Sequence, residues 1–257
     1  MAVRTEPVDL ASVDGPGDSA PSASLVVIDR PERRNALDTE HCTLIANAVA
    51  ERVAAGDRSL AITGAGTSFC SGADFGDVTS GGFRAALHTM LDTITDAPIP
   101  IVAVVNGHAI GAGLQLAIAA DLRVAAPTAS FGIPTARLGL AVDPWTIERL
   151  VALAGGGAAR RLLLTCSILD ADDSRVAGLI DQIGDLEAAL ALTAELATLA
   201  PLTLRYIKQT VDAVAKGARV SDDASILAAF EACWSSDDLA EGLSARDEKR
   251  PARFEGR

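Results

Sequence analysis

Apolar residues follow two different rhythms along this chain. Ser24-Leu-Val-Val-Ile-Asp29, Leu60 to Thr63, Ile101 to Val105 and Leu122 to Ala126 are short, nearly unbroken apolar runs. Runs of that length, bounded by polar or turn residues, predict strands covered on both faces. Between them the spacing becomes helical. Leu44, Ile45, Ala48 and Val49 form one stripe of a helix running from an Asp38 cap to about Ala55, and further helices are predicted over 83–95 and 111–120. From Pro144 onward every predicted element is helical: 144–153, 157–164, 170–177, 187–199, 201–216, 221–234 and 237–247. Pro144 and Pro201 suit first helical turns, and Asp170 and Ser221 suit N-caps.

Strands alternating with helices predict an α/β fold, in the cadence of a spiral of ββα turns followed by a helical region. Residues 6 to 23 are rich in Ser, Pro, Asp and Gly without either period, so 1–23 is expected to be a disordered tail. The remainder divides into a core over 24–200 and C-terminal helices over 201–257. Leu204, Ile207, Val211, Ile226, Phe230 and Trp234 give those helices more apolar surface than a terminal segment should expose, which predicts oligomerisation there.

Composition narrows the function classes. The 257 residues are 49% hydrophobic, enough to fill the core of one large domain. A net charge of -12, with 22 Lys and Arg against 34 acids, would repel a phosphate backbone, so nucleic-acid binding is not expected. Cys42, Cys70, Cys166 and Cys233 lie far apart with no C-x-x-C spacing, as expected of reduced thiols in a cytoplasmic protein. No run approaches the ~18 apolar residues that a membrane span requires, and no metal site is expected.

The glycine-rich segments do not match the nucleotide motifs. Gly111-Ala-Gly113 opens a helix after a strand, but Leu116 stands where a dinucleotide fingerprint needs a small residue, and no G-K-[ST] occurs. There is no G-x-S-x-G elbow, and His41, His88 and His108 are not paired at metal-binding spacing. Two loops, Ser68 to Asp74 and His108 to Gly113, follow strands and carry small residues. Their backbone N–H groups could approach one ligand oxygen, the second loop from a helix N-terminus that favours an anion. Small residues in two loops are equally consistent with tight turns.

Several motifs together resemble the crotonase superfamily of enoyl-CoA hydratases and isomerases. Arg30-Pro-Glu-Arg-Arg-Asn-Ala-Leu37, Phe69-x-Ser-Gly-Ala-Asp74, Ile101-x-Ala-Val-Val-Asn-Gly-x-Ala-Ile-Gly-Ala-Gly113, Ala119-Ala-Asp121-Leu-Arg-Val-Ala and Glu248-Lys-Arg-Pro-x2-Phe-x-Gly256 stand in the family's order. They cover about residues 24 to 256. The resemblance implies a crotonase-like spiral with C-terminal oligomerisation helices, a homotrimer or dimer of trimers, and an acyl-CoA or enoyl-CoA thioester as ligand, with no cofactor beyond the coenzyme A of that ligand. It implies an oxyanion hole from the N–H groups of Ala73 and Ala112. Arg33, Arg34, Ala36, Ser71, Gly72, Ala73, Gly111 and Lys249 are the implied CoA-binding positions, Lys249 having a solvated surface role as its alternative.

The same resemblance exposes two departures. The family's hydratases place catalytic glutamates at the positions of Gln115 and Thr135, and neither an amide nor a hydroxyl can take a proton from water near neutral pH. Such proton transfer contributes typically ~10²–10⁴-fold, so weak or no hydration is expected, with acyl-CoA binding in fatty-acid metabolism as the leading function. Asp143 occupies a position where some family isomerases carry a functional Asp, which leaves an enoyl- or dienoyl-CoA isomerase as the alternative, beside a conventional hydratase. Asp143 before Pro144 also fits a helix cap. The acyl pocket is expected near Phe83, Leu87 and Trp145.

Overall fold

The computed structural model describes residues 2–10, 21–78 and 81–257. Its elements begin β1 (Val3–Pro7), β2 (Ala23–Ile28), α1 (Thr39–Ala54), β3 (Ser59–Gly64), β4 (Ser68–Cys70) and α2 (Phe83–Thr95). They continue with β5 (Ile101–Val105), β6 (His108–Ile110), α3 (Ala112–Ala119), β7 (Leu122–Ala125), β8 (Ser130–Gly132) and α4 (Pro144–Thr165). β9 (Leu169–Asp170), α5 (Ala171–Val176), β10 (Gln182–Ile183), α6 (Leu186–Thr198), α7 (Pro201–Ala215), α8 (Ala224–Trp234) and α9 (Asp237–Glu248) complete the chain. Each of β3-β4-α2, β5-β6-α3 and β7-β8-α4 is one ββα turn. The first strands join one sheet in the order β1-β2-β3-β5-β7-β10, and the second strands join another in the order β4-β6-β8-β9. β2, β3, β5, β7 and β10 run parallel, as the predicted α/β spiral requires.

The unbroken apolar runs are explained by burial on both faces of the larger sheet. Along β2, Val26 and Ile28 enter the main core with Ile45, Leu60, Phe69, Leu91 and Leu114, while Leu25 and Val27 point the other way. There they meet Val102, Val124, Ala189 and Ala197 beneath α6. Ser59, buried under α6, donates to the Thr193 carbonyl at 2.6 Å and ties that helix to the sheet. α7 is anchored differently: Lys208 Nζ reaches Asp121 Oδ2 at 2.8 Å and the Ile94 and Ile99 carbonyls at 3.3 and 3.2 Å. Burial pushes the Asp121 carboxyl above its ordinary range, and the Lys208 ammonium opposes that shift.

Several expectations are corrected. Val3–Pro7 belongs to an edge strand antiparallel to β2 and not to a disordered tail, while residues 11–20 of that predicted tail lie outside the described residues. Only Val3 of β1 is buried, so this charged edge strand carries no hydrophobic period to detect. The second strands of the turns, three residues each, are too short for period reading; Ser68–Cys70 and His108–Ile110 lie in segments expected as loops, and the sequence predicts no element at Ser130–Gly132. The two helices expected after Pro144 are one run broken at Gly155, whose φ of 71° is non-helical. Ser221 lies in a 3-10 turn, and Asp223 caps α8 by accepting from the Ser225 and Ile226 N–H groups. The caps at Asp38 and Asp170 are as expected.

Candidate functional site

The two small-residue loops meet. Leu37 forms a parallel bridge with Ala73, donating its N–H to the Gly72 carbonyl at 2.8 Å and accepting from Asp74 N–H at 2.6 Å. Strand geometry turns the Ala73 N–H to the opposite side of the chain from that bridge. Gly72 has φ of +109°, and a methyl built on it would lie 2.9 Å from the Ile110 carbonyl oxygen and 3.9 Å from the Ala112 nitrogen. Only glycine allows both that backbone conformation and that approach. Ala112 is the first residue of α3, where an N–H has no intrahelical acceptor and the helix dipole favours negative charge.

Behind the first loop stands a charged brace. Arg30 reaches Asp38 Oδ2 at 3.1 Å and Asp74 Oδ2 at 3.0 Å, linking the α1 cap to the residue after Ala73. Thr39 donates its N–H and hydroxyl to Asp77 Oδ2 at 2.7 and 2.5 Å. Burial raises the Asp38 pKa, but the hydrogen bonds from His41 and the charges of His41 and Arg30 outweigh it, leaving this carboxyl below its ordinary value. Cys70, at the start of the loop, is protonated near neutrality because burial pushes its thiol up to about 12. It offers no nucleophile.

A cavity of about 470 Å³ opens beside the two loops. Ala73, Ala112, Gln115, Thr135 and Asp143 all line it, as do Ser71, Gly72 and Gly111. Arg33 and Arg34 do not line it but stand directly behind, where the Arg34 carbonyl accepts from Ser71 N–H at 3.0 Å and the Arg33 carbonyl from the Ser71 hydroxyl at 3.3 Å. Ala36 and Lys249 are also absent from the lining. Lys249 is exposed in the left-handed turn that ends α9. Trp145 is a correction: Phe83 and Leu87 face the cavity as expected, but Trp145 lines a separate cleft with Thr95, Glu148 and Arg149. α4 begins at Pro144, and the helical twist carries its next side chain off the cavity face.

The side-chain half of the site is a closed hydrogen-bond triangle. Gln115 Nε2 donates to Asp143 Oδ2 and to Thr146 Oγ1, both at 2.6 Å. Thr146 donates its N–H to Asp143 Oδ1 at 3.0 Å and its hydroxyl to Asp143 Oδ2 at 2.8 Å. Only the amide nitrogen can donate to a carboxylate, which fixes the amide orientation and leaves its oxygen as the group available to the cavity. Both oxygens of Asp143 are engaged, Oδ2 by two donors and Oδ1 by the Thr146 N–H, which holds the carboxylate in place as the cap of α4. Thr146, a member of this triangle, was not apparent from sequence, nor were Arg84 and His88 on the cavity wall. The signal for those two is the face of α2, where 84 and 88 lie beside 83 and 87.

The comparisons with known proteins agree with the fold. Residues 20–257 match the family model described as enoyl-CoA hydratase/isomerase. The chain belongs to the enoyl-CoA hydratase/isomerase family. A probable enoyl-CoA hydratase of Mycobacterium tuberculosis is 39% identical over 239 residues, covering 90% of this chain and 95% of that protein. A counterpart in Mycobacterium leprae is 40% identical over 246 residues, covering 90% and 95%. Among solved structures, an enoyl-CoA hydratase/isomerase family protein from Hyphomonas neptunium superposes with a TM-score of 0.86 at 30% identity, covering 100% of this chain and 98% of that chain. No single helix among the described residues is long and apolar enough to cross a membrane.

Proposed function

We propose that this protein binds acyl-CoA thioesters in fatty-acid metabolism and has weak or no hydratase activity. The observation that carries the reading is the Gln115 amide, bonded to Asp143 and Thr146 beside the two oxyanion loops. A thioester oxygen held by the Ala73 and Ala112 N–H groups would be polarised, each such donor contributing about 3 kcal/mol where charge develops. No group at Gln115 or Thr135 can then move the proton that hydration needs. Arg33 and Arg34, next to Ser71, are the nearby charges for CoA phosphates, and the cavity takes the acyl chain.

Calorimetry with free CoA and with butyryl-, octanoyl- and palmitoyl-CoA tests this directly. The thioesters should bind more tightly than free CoA, because the oxyanion loops and buried tail add contacts, at about 25 cal/mol per Å² of apolar area. Equal affinities for CoA and its thioesters would sink the reading. The second reading, an enoyl- or dienoyl-CoA isomerase, is favoured by one observation: Asp143 lines the same cavity as Ala73 and Ala112. It would use the second lone pair of Asp143 Oδ1, since Oδ2 already accepts from Gln115 and Thr146.

The same proposal includes a homotrimer or dimer of trimers assembled through the C-terminal helices. Ile207, Val211, Phe230 and Trp234 are exposed on α7 and α8, in support of it, although Ile226 is buried within the protomer. Light scattering at micromolar concentration should give a trimer or hexamer; a monomer would contradict this part.

A further inference from the structure

One wall of the cavity is chemically mixed in a way that a plain acyl chain does not need. α2 lays two pairs of residues along it, each pair one helical turn apart. Phe83 and Leu87 are buried and apolar, whereas Arg84 and His88 are basic and face the same space. Among the described residues neither the Arg84 nor the His88 side chain has a hydrogen-bond or ion-pair partner. Arg58, Arg175 and Arg205 likewise pair with no carboxylate among the described residues, whereas Arg4, Arg30, Arg52, Arg123, Arg149 and Arg250 do; what sets Arg84 apart is that its guanidinium belongs to the lining of this cavity. The one carboxylate in the cavity lining, Asp143, is committed to Gln115 and Thr146.

We propose that Arg84, assisted by His88, recognises a carboxylate at the far end of the bound acyl group, so that the preferred ligands are CoA monothioesters of dicarboxylic acids. A guanidinium presents a planar fork that fits a carboxylate in two parallel hydrogen bonds, and such charge-assisted bonds are roughly twice as strong as neutral ones. The rest of the cavity supplies the apolar path between the two polar ends: the thioester oxygen at Ala73 and Ala112, the terminal carboxylate at α2. The proposal rests on the acyl-CoA reading above and adds a terminal group to the ligand.

Calorimetry on the full chain with matched pairs of equal length tests it: succinyl- against butyryl-CoA, glutaryl- against pentanoyl-CoA, adipyl- against hexanoyl-CoA, with free CoA as reference. At one length the carboxylated member should bind about tenfold tighter, equivalent to ~1.4 kcal/mol. Arg84→Gln should bring that ratio to about one, Arg84→Lys should keep part of it, and His88→Gln should lower it by less than Arg84→Gln. Carboxylated thioesters that bind no tighter than plain ones at any length would overturn the inference while leaving acyl-CoA binding intact. If Arg84→Gln weakens free CoA by the same factor as adipyl-CoA, the guanidinium serves the CoA phosphates and the inference is wrong. Thioesters that bind no better than free CoA would fail the underlying reading itself.

Discussion

The site has a backbone half and a side-chain half, and they are built on different principles. The backbone half consists of the 68–74 and 108–113 loops, held by the Leu37 bridge, the close approach of Gly72 to Ile110 and the Arg30 brace. Its chemistry is two N–H groups, which any sequence of small residues could present once those restraints exist. The side-chain half is Gln115, Thr135, Asp143 and Thr146, whose chemistry depends on the identity of each side chain. One half can therefore keep its geometry while the other changes its reaction. On the proposed function, binding and polarising a thioester is separable from moving its protons.

The largest expected effect comes from restoring the side-chain half. Wild-type hydration of crotonyl-CoA should be slow, and Gln115→Glu combined with Thr135→Glu should raise it by up to about 10²–10⁴-fold, the usual worth of general acid–base groups. A coupled spectrophotometric assay measures both. A wild-type rate equal to that of ordinary hydratases would dissolve the distinction between the two halves.

Breaking the backbone half should cost binding and stability. Gly72→Val forces a β-branched residue into φ +109° with its Cβ 2.9 Å from the Ile110 oxygen. Strain of this kind costs about 1–3 kcal/mol. The variant should melt earlier and lose the preference for acyl-CoA over free CoA; unchanged discrimination in calorimetry would remove these loops from the site.

A smaller effect is expected at Asp143, where the two readings of the side-chain half diverge. Asp143→Asn retains an N-cap acceptor, so stability should fall by less than ~1 kcal/mol. Isomerisation of 3-enoyl-CoA should be negligible in both proteins if Asp143 only caps α4. Turnover by the wild type that disappears in Asp143→Asn would establish the isomerase instead.

The smallest effect concerns the brace. Asp38 titrates below its ordinary value in the folded protein, so its contribution is complete above the unfolded value of 3.8 and is lost as pH falls below it. Thermal melts between pH 5 and 3 should show Asp38→Asn losing less stability than wild type over that interval, and parallel curves would place the acid sensitivity elsewhere.

What was legible in sequence is what is decided within a few residues of chain. Asp38 and Asp170 cap their helices because an Asp carboxylate reaches an N–H three residues on, and the four apolar runs are strands because nothing else hides such residues on both faces. The motifs singled out the 68–74 and 108–113 loops, Gln115 and Thr135, and residues of both loops line one cavity with Gln115 and Thr135. The tertiary structure alone decided the rest, since contacts across the fold leave no local period. Gln115 spans 28 residues of sequence to donate to Asp143, turning an open candidate base into a bonded cap. Trp145 is carried off the cavity by the twist of α4, while Arg84 and His88 reach it from beside the face that α2 buries through Phe83 and Leu87. Local chemistry chose the elements, and the packing of distant faces chose which side chains share the site.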